Sequence, residues 1–257
     1  MIVAQISDLH VSAPGEITFG RIDTAACLAR CVSSILMLQP APEVVVASGD
    51  LVNAGASEEY RRLRDILAPL PMPVYLMAGN HDERAALRAE FSDHTYLPLN
   101  GTLHYAVDTE AVRLLMLDTA IPGKDGGALD SRQMEWLDIE LGAAPDRPVV
   151  IFMHHPPITT GIRGMDDIAL DARDISRLAG LVAASPKIER IACGHVHRKI
   201  ESRWAGTTVS VCPSTAYQIG LSFDGGTLEP SEEPPSYQLH YWNGAELVTH
   251  TIAVGLD

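Results

Sequence analysis

Eight polar residues, in five separate stretches of this sequence, are of types that bind metal ions and move protons. They are Asp8 and His10 in Ile6-Ser7-Asp8-Leu9-His10, Asp50 in Ser48-Gly49-Asp50-Leu51-Val52, and Asn80 and His81 in Ala78-Gly79-Asn80-His81-Asp82. His154 follows in Phe152-Met153-His154-His155-Pro156-Pro157, and His195 and His197 in Ala192-Cys193-Gly194-His195-Val196-His197. Imidazole and carboxylate together suit Zn, Fe, Mn, Co or Ni, and the lack of cysteine in the set argues against a structural zinc site. The set is larger than one ion needs. Two ions sharing Asp50 would use seven of the residues as ligands. That arrangement, with ions roughly 3.5–4 Å apart, suits in-line displacement at phosphorus. A water shared by two cations becomes hydroxide near neutral pH and can attack, while the cations neutralise charge on the phosphoryl oxygens. Taken singly, each stretch is weak. A histidine after a strand is more often a core or capping residue, and Asn80 could simply supply a turn. Five such stretches in order, each at a strand end, are hard to assemble by chance.

The elements that must position them can be read from the apolar runs. Val44-Val45-Val46-Ala47 is β-branched, uncharged and bounded by Pro42 and Gly49, the pattern of a buried strand that delivers Asp50 into a turn. Strands over 2–6, 74–77, 149–153 and 188–193 deliver the other four stretches. Asp23 caps a helix through about Leu38, and Ser57 caps the next, with Glu58 and Glu59 in its acidic first turn. The order β, α, β, α, β predicts right-handed crossovers and parallel pairing, with ligands at the carboxyl ends of the strands.

The middle predicts a short helix near 83–91, then segments 105–107 and 112–117 as a hairpin or second sheet, then a helix over 131–141 capped by Gly142. The polar, glycine-rich segment from Thr159 to Asp171 directly follows His154. It could cover the site or be an ordinary connection. The last quarter predicts antiparallel strands over 199–204, 207–212, 237–242 and 246–254, with Ser222 to Ser236 as a surface excursion or arm. No repeat or linker divides the chain. We expect one domain over 1–257, with 215–257 supplying C-terminal strands and an arm or dimer-contact segment.

The bulk numbers narrow the function classes. The 257 residues are 46% hydrophobic and 20% charged, an ordinary globular composition with enough chain for a sizeable α/β core. A net charge of -14 repels duplex nucleic acid and anionic membranes, so neither is an expected partner. An anionic substrate would then need bound metal cations to hold it. Cys27, Cys31, Cys193 and Cys212 form no Cys-x-x-Cys pair and read as buried apolar residues in a reducing cytoplasm. The first strand begins at residue 2, so no signal peptide is expected, and no apolar run approaches the roughly 20 residues of a membrane span.

Asp8-x-His10, Gly49-Asp50, Gly79-Asn80-His81-Asp82, His154 and Gly194-His195-x-His197 resemble the five ordered blocks of the calcineurin-like metallophosphoesterases. The resemblance runs from Met1 to about Ser214. The compact length and the His154-His155-Pro156-Pro157 run are similar to the bacterial class III cyclic-nucleotide phosphodiesterases and related glycerophosphodiesterases. The resemblance implies a four-layer αββα sandwich with two mixed β-sheets flanked by helices. It implies Asp8, His10 and His197 on a first metal, Asn80, His154 and His195 on a second, and Asp50 bridging. Manganese and iron are the metals it favours, as divalent or mixed-valence pairs. His81 would be the unligated histidine that contacts the phosphoryl group or protonates the leaving oxygen. Asn80 would share in substrate binding, and His155 would support the ligands or face the substrate. The implied activity is hydrolysis of small phosphodiesters, such as 3′,5′-cyclic nucleotides or glycerophosphodiesters, by a homodimer or higher homo-oligomer. The alternatives are a phosphomonoesterase or nuclease of the same chemistry, or a metal-binding protein without turnover.

Overall fold

A computed structural model describes residues 1–143, 147–225 and 227–255. The first third alternates β1 (Ile2–Ile6), α1 (Thr24–Leu36), β2 (Val44–Ser48), α2 (Ser57–Leu67), β3 (Val74–Met77) and α3 (Arg84–Glu90). The middle holds β4 (Tyr105–Asp108), β5 (Arg113–Leu117), β6 (Ala120–Ile121), β7 (Lys124–Gly127), α4 (Ser131–Ala143), β8 (Val149–Met153), α5 (Arg163–Asp166) and α6 (Ala172–Ala184). The chain ends with β9 (Ile188–Cys193), β10 (Ile200–Trp204), β11 (Thr207–Val211), β12 (Ser236–Trp242) and β13 (Leu247–Ala253). Among the described residues, no helix is long and apolar enough to cross a membrane.

Two mixed sheets carry the fold, in the order β13-β12-β1-β2-β3 and β10-β11-β9-β8-β5-β4. The strands that lead into the polar stretches pair in parallel, β1 with β2, β2 with β3, and β8 with β9. Alternation along the strands of the second sheet sorts its side chains into two cores. Leu114, Met116, Val150, Phe152 and Ala192 join the first sheet, α1 and α2 in one apolar cluster. Leu115, Leu117, Ile151, Met153, Ile191 and Cys193 join α4 and α6 in the other. Helices therefore cover the outer face of each sheet, and the inner faces meet. A fully buried side chain such as Phe152 contributes about 1.5–3 kcal/mol by leaving water. Across this interface the Gln5 amide donates to Ser48 Oγ at 2.8 Å and to the Cys193 carbonyl at 3.0 Å, joining both sheets just below the site.

Some sequence expectations need correction. Asp23 does cap α1, accepting from the Ala26 N–H at 3.0 Å. Ser57, however, is the first helical residue of α2, and Ala56 occupies the cap position. The buried Glu59 carboxylate does the capping instead, accepting from the N–H groups of Ala54 and Ala56. Gly142 lies inside the last turn of α4 rather than beyond it. The last quarter is not wholly antiparallel, because β11 returns between β10 and β9 and pairs in parallel with β9. Contacts tie the end of the expected arm to the body of the chain. The Ser231 N–H reaches the Gln218 carbonyl at 2.8 Å, and Glu232 and Glu233 pair with Arg21 and Arg198. Residues 226, 256 and 257 of the expected C-terminal segment lie outside the described residues.

Candidate metal centre

The polar stretches meet along one edge, where the carboxyl ends of β1, β2, β3, β8 and β9 converge. The turns that follow these strands are tight. Asp8, His10, Asp50, His195 and His197 all have left-handed backbone, with φ of 52°, 43°, 47°, 72° and 51°. Aspartate and histidine enter this region more readily than most residues, but each such position still costs on the order of 1–3 kcal/mol. Such strain persists where the surroundings over-determine it, as at a functional site. Close backbone approach completes the turns. A Cβ at Gly79 would stand 2.2 Å from Asp50 Oδ1, and one at Gly194 would stand 2.0 Å from Ser7 Oγ.

Asp8, His10, Asp50 and His197 are all buried, and their ligand-type atoms lie within 4.8 Å of one another. His10 Nε2 and His197 Nε2 are 3.0 Å apart. His197 Nδ1 donates to the Tyr217 carbonyl at 2.8 Å, so in the neutral ring Nε2 carries the lone pair. His154 shows the same device, with Nδ1 on the Ser48 carbonyl at 2.9 Å. Its Nε2 then faces Asp50 Oδ2 at 3.4 Å and Asn80 Oδ1 at 3.2 Å. His195 donates through Nε2 to the Ile168 carbonyl at 3.1 Å and turns Nδ1 toward Asn80 Oδ1, also at 3.1 Å. Lone pairs thus converge on lone pairs, in a buried place where only cations or protons satisfy them. The donors are nitrogen and oxygen, without sulfur, which fits the transition metals expected from the sequence. The pattern is the one metal-binding imidazoles adopt, one nitrogen anchored on a carbonyl and the other free.

Electrostatics separate the members. Burial pushes the Asp8 carboxyl up, against the pull of His197 and His154. Burial acts on Asp50 too, but His154, His10 and His81 together hold it well below the usual carboxylate range. Burial disfavours charge on His154, yet Asp50, Asp8 and the Ser48 carbonyl lift it to about 9. His10 and His195 lie well below the ordinary histidine value because burial outweighs their carboxylate neighbours.

His81 stands apart. Its side chain is exposed, its N–H donates to Asp50 Oδ1 at 2.9 Å, and its Nδ1 donates to the Asn53 carbonyl at 2.7 Å. Nε2 remains, and the ring meets His10 edge-on at 4.6 Å. Asn80 is half-buried between His154 and His195. His155 is fully buried, with Nδ1 on the Thr119 hydroxyl at 2.8 Å and Nε2 on the Asp125 carbonyl at 3.0 Å. Both ring nitrogens are thus used, and burial draws its pKa down to about 3. The ring packs on His195 at 4.4 Å. His94 and His104 contact Tyr96 and Thr102, away from the cluster, and His240 bonds Gln5 and Thr249.

The sequence reading gave no role to several residues that shape the site. Asp82 accepts from the N–H groups of Gly79 and Leu51 at 2.8 and 3.1 Å and from the Tyr60 hydroxyl at 2.9 Å, tying the β2 and β3 turns to α2. Burial, with the Asp50 charge, lifts it to about 7. The Tyr217 ring packs on His197 at 4.6 Å and on His10 at 5.5 Å. The segment after His154 touches the site at Ile168, whose carbonyl accepts from His195 Nε2.

Comparison with known proteins agrees with this geometry. The family model for calcineurin-like phosphoesterases matches residues 1–199. A probable glycerophosphodiester phosphodiesterase, GpdQ, of Arcobacter nitrofigilis is 35% identical over 257 residues, covering 99% of this chain and 94% of that protein. The 3′,5′-cyclic adenosine monophosphate phosphodiesterase CpdA of Pseudomonas aeruginosa is 30% identical over 231 residues, covering 89% and 81%. In fold, the chain is similar to the crystal structure of a dimetal phosphatase from Danio rerio, with a TM-score of 0.65 at 15% identity over 99% of both chains. The two mixed sheets, the buried Asp/His cluster and these matches lead to one conclusion: the chain belongs to the calcineurin-like phosphoesterase family.

Proposed function

We propose that this chain is a metal-dependent hydrolase of small phosphodiesters, with residues 1–257 acting as one domain. Asp8, His10 and His197 hold one cation, Asn80, His154 and His195 hold a second, and Asp50 is shared. Manganese or iron suits the mixed nitrogen and oxygen donors. When bound, the cations lower the pKa of water and offset charge on the phosphoryl oxygens. The chain's own residues do the rest. Carbonyls of Ser48, Tyr217 and Ile168 fix the ring orientations of His154, His197 and His195. The Asn53 carbonyl fixes the orientation of the His81 ring. Nε2 of His81 is then the atom that can pass a proton to the leaving alkoxide.

The observation that carries the reading is the contrast between His81 and its neighbours. The proposed ligands are buried or half-buried with their lone pairs turned inward, whereas His81 is exposed at the same edge with one nitrogen unspent. A protein that only stored metal would have no use for that second arrangement. Diester rather than monoester chemistry is supported by the activities named for the relatives at 35% and 30% identity. The four free, buried thiols suit a reducing compartment such as the cytoplasm. The test is hydrolysis of bis(p-nitrophenyl) phosphate against p-nitrophenyl phosphate by the Mn²⁺-loaded protein. Preference for the diester supports the proposal; preference for the monoester reassigns the chain as a phosphomonoesterase.

A further inference from the structure

A chain of rings leads out of the cluster. His81 meets His10 at 4.6 Å, His10 meets Tyr217 at 5.5 Å, and Tyr217 meets Phe19 edge-on at 5.1 Å. Phe19 ends the row at the surface. Its side chain is 55% exposed, and Ile17 beside it is 47% exposed. The same residue has left-handed backbone, φ 51°, next to Gly20 at 68°. A bulky aromatic rarely takes that conformation, and here burial does not explain it, because most of the ring stays in water. The turn presents the ring instead of hiding it.

We infer that Phe19 and Tyr217 form an aromatic platform that holds the planar ring of a nucleoside or aryl phosphodiester beside the metal centre, favouring such diesters over glycerol-based ones. The inference rests on the phosphodiesterase reading above. Phe19 is more than half exposed, so its ring can take a third ring in the offset or edge-to-face geometry aromatic groups prefer. A glycerol moiety has no π-face and gains little from it. A lipid surface is a poorer occupant, since a chain of net charge -14 is repelled by anionic bilayers. The platform meets His10 through Tyr217 and reaches the surface at Phe19, so it suits the ring end of the diester while the phosphoryl group sits at the cluster.

The test compares the Mn²⁺-loaded wild type with Phe19→Ala and Phe19→Trp. Turnover of 3′,5′-cyclic AMP and of glycerophosphoethanolamine is measured alongside calorimetric binding of 5′-AMP and of glycerol 3-phosphate. We expect Phe19→Ala to lower kcat/KM for cyclic AMP on the order of 10- to 100-fold, mainly through KM, with the same loss in 5′-AMP affinity. Glycerophosphoethanolamine and glycerol 3-phosphate should change less than about twofold, and Phe19→Trp should restore the cyclic AMP value. Equal losses on both substrates, or none on either, would overturn the platform. So would a loss confined to a lysophosphatidylcholine substrate, which would give the ring to an acyl chain. If the wild type hydrolyses neither diester, the phosphodiesterase reading fails. The platform is then judged by 5′-AMP binding alone, where an unchanged affinity in Phe19→Ala rejects it.

Discussion

The backbone N–H of His195 donates to both carboxylate oxygens of Asp8, at 2.9 and 3.1 Å. Asp8 follows β1 in one sheet and His195 follows β9 in the other. This contact closes the two sheets over the edge where the cluster forms. It also orients the carboxylate before any ion arrives. A parallel contact joins the His81 N–H to Asp50 Oδ1 at 2.9 Å, so both proposed carboxylate ligands are aimed by backbone donors from another segment.

The Asn80 side-chain oxygen lies within hydrogen-bond distance of His154 Nε2 and His195 Nδ1, the two other residues proposed for the second metal. Asn80→Ala should therefore weaken the second metal while the first stays bound. Metal analysis after dialysis should show occupancy falling from two ions per chain toward one. Loss of both ions together would contradict the assignment of Asn80 to one site.

His81→Ala should lower kcat about 10²- to 10⁴-fold, the range for removal of a general acid. Metal content should stay at the wild-type level, because the ring is exposed and its fixed contact is to the Asn53 carbonyl. Elemental analysis alongside the assay checks both halves. A metal-depleted variant would make His81 a ligand.

His240 predicts how the fold responds to acid. It is buried, donates through Nε2 to Gln5 Oε1 at 2.9 Å and accepts at Nδ1 from the Thr249 hydroxyl at 2.8 Å. Burial lowers its pKa to about 3, against about 6.5 in an unfolded chain. Between those values the unfolded chain binds the extra proton. The stability that neutral His240 contributes is thus complete above about pH 6.5 and declines as the pH falls, by about 1.4 kcal/mol per unit. Urea midpoints from pH 7 to 5 should drop for the wild type and drop less steeply for His240→Gln. Identical slopes would mean that this histidine does not control acid sensitivity.

Gly79→Ala tests the close packing of the turns. The added Cβ would stand 2.2 Å from Asp50 Oδ1 and 2.3 Å from its backbone N, where nothing flexible can move aside. Metal affinity should fall by about 10- to 100-fold, the usual effect of disturbing what supports a ligand. Gly180→Ala in α6 meets no atom within 4 Å and should leave affinity unchanged. Titration calorimetry with Mn²⁺ compares the two. Equal affinities would show that the Asp50 turn tolerates the methyl group.

The strand ends were legible in the sequence because apolar β-branched runs and the residues after them are local signals. Asp8, His10, Asp50, Asn80, His154, His195 and His197 do come together at one edge. Much of what holds them did not show. The carbonyls of Ser48, Tyr217, Ile168 and Asp125 orient four histidines, and any residue type could supply them. The β6–β7 ribbon that carries Asp125 is built on Lys124-Asp125-Gly126-Gly127, a poor strand sequence stabilised by its surroundings. The parallel pairing of β11 with β9 depends on which strand lies beside it, a long-range fact. Asp82 and Tyr217 matter through packing, and a lone aspartate or tyrosine carries no mark of that.

Metal uptake coupled to turnover decides whether Asp50 unites two sites. Chelator-stripped protein would be titrated with Mn²⁺ while bound metal and bis(p-nitrophenyl) phosphate hydrolysis are followed together. Two ions per chain at saturation, with hydrolysis absent in stripped protein and rising as the second ion binds, is the expected result. Saturation at one ion, or full hydrolysis without added metal, would contradict a shared two-metal centre.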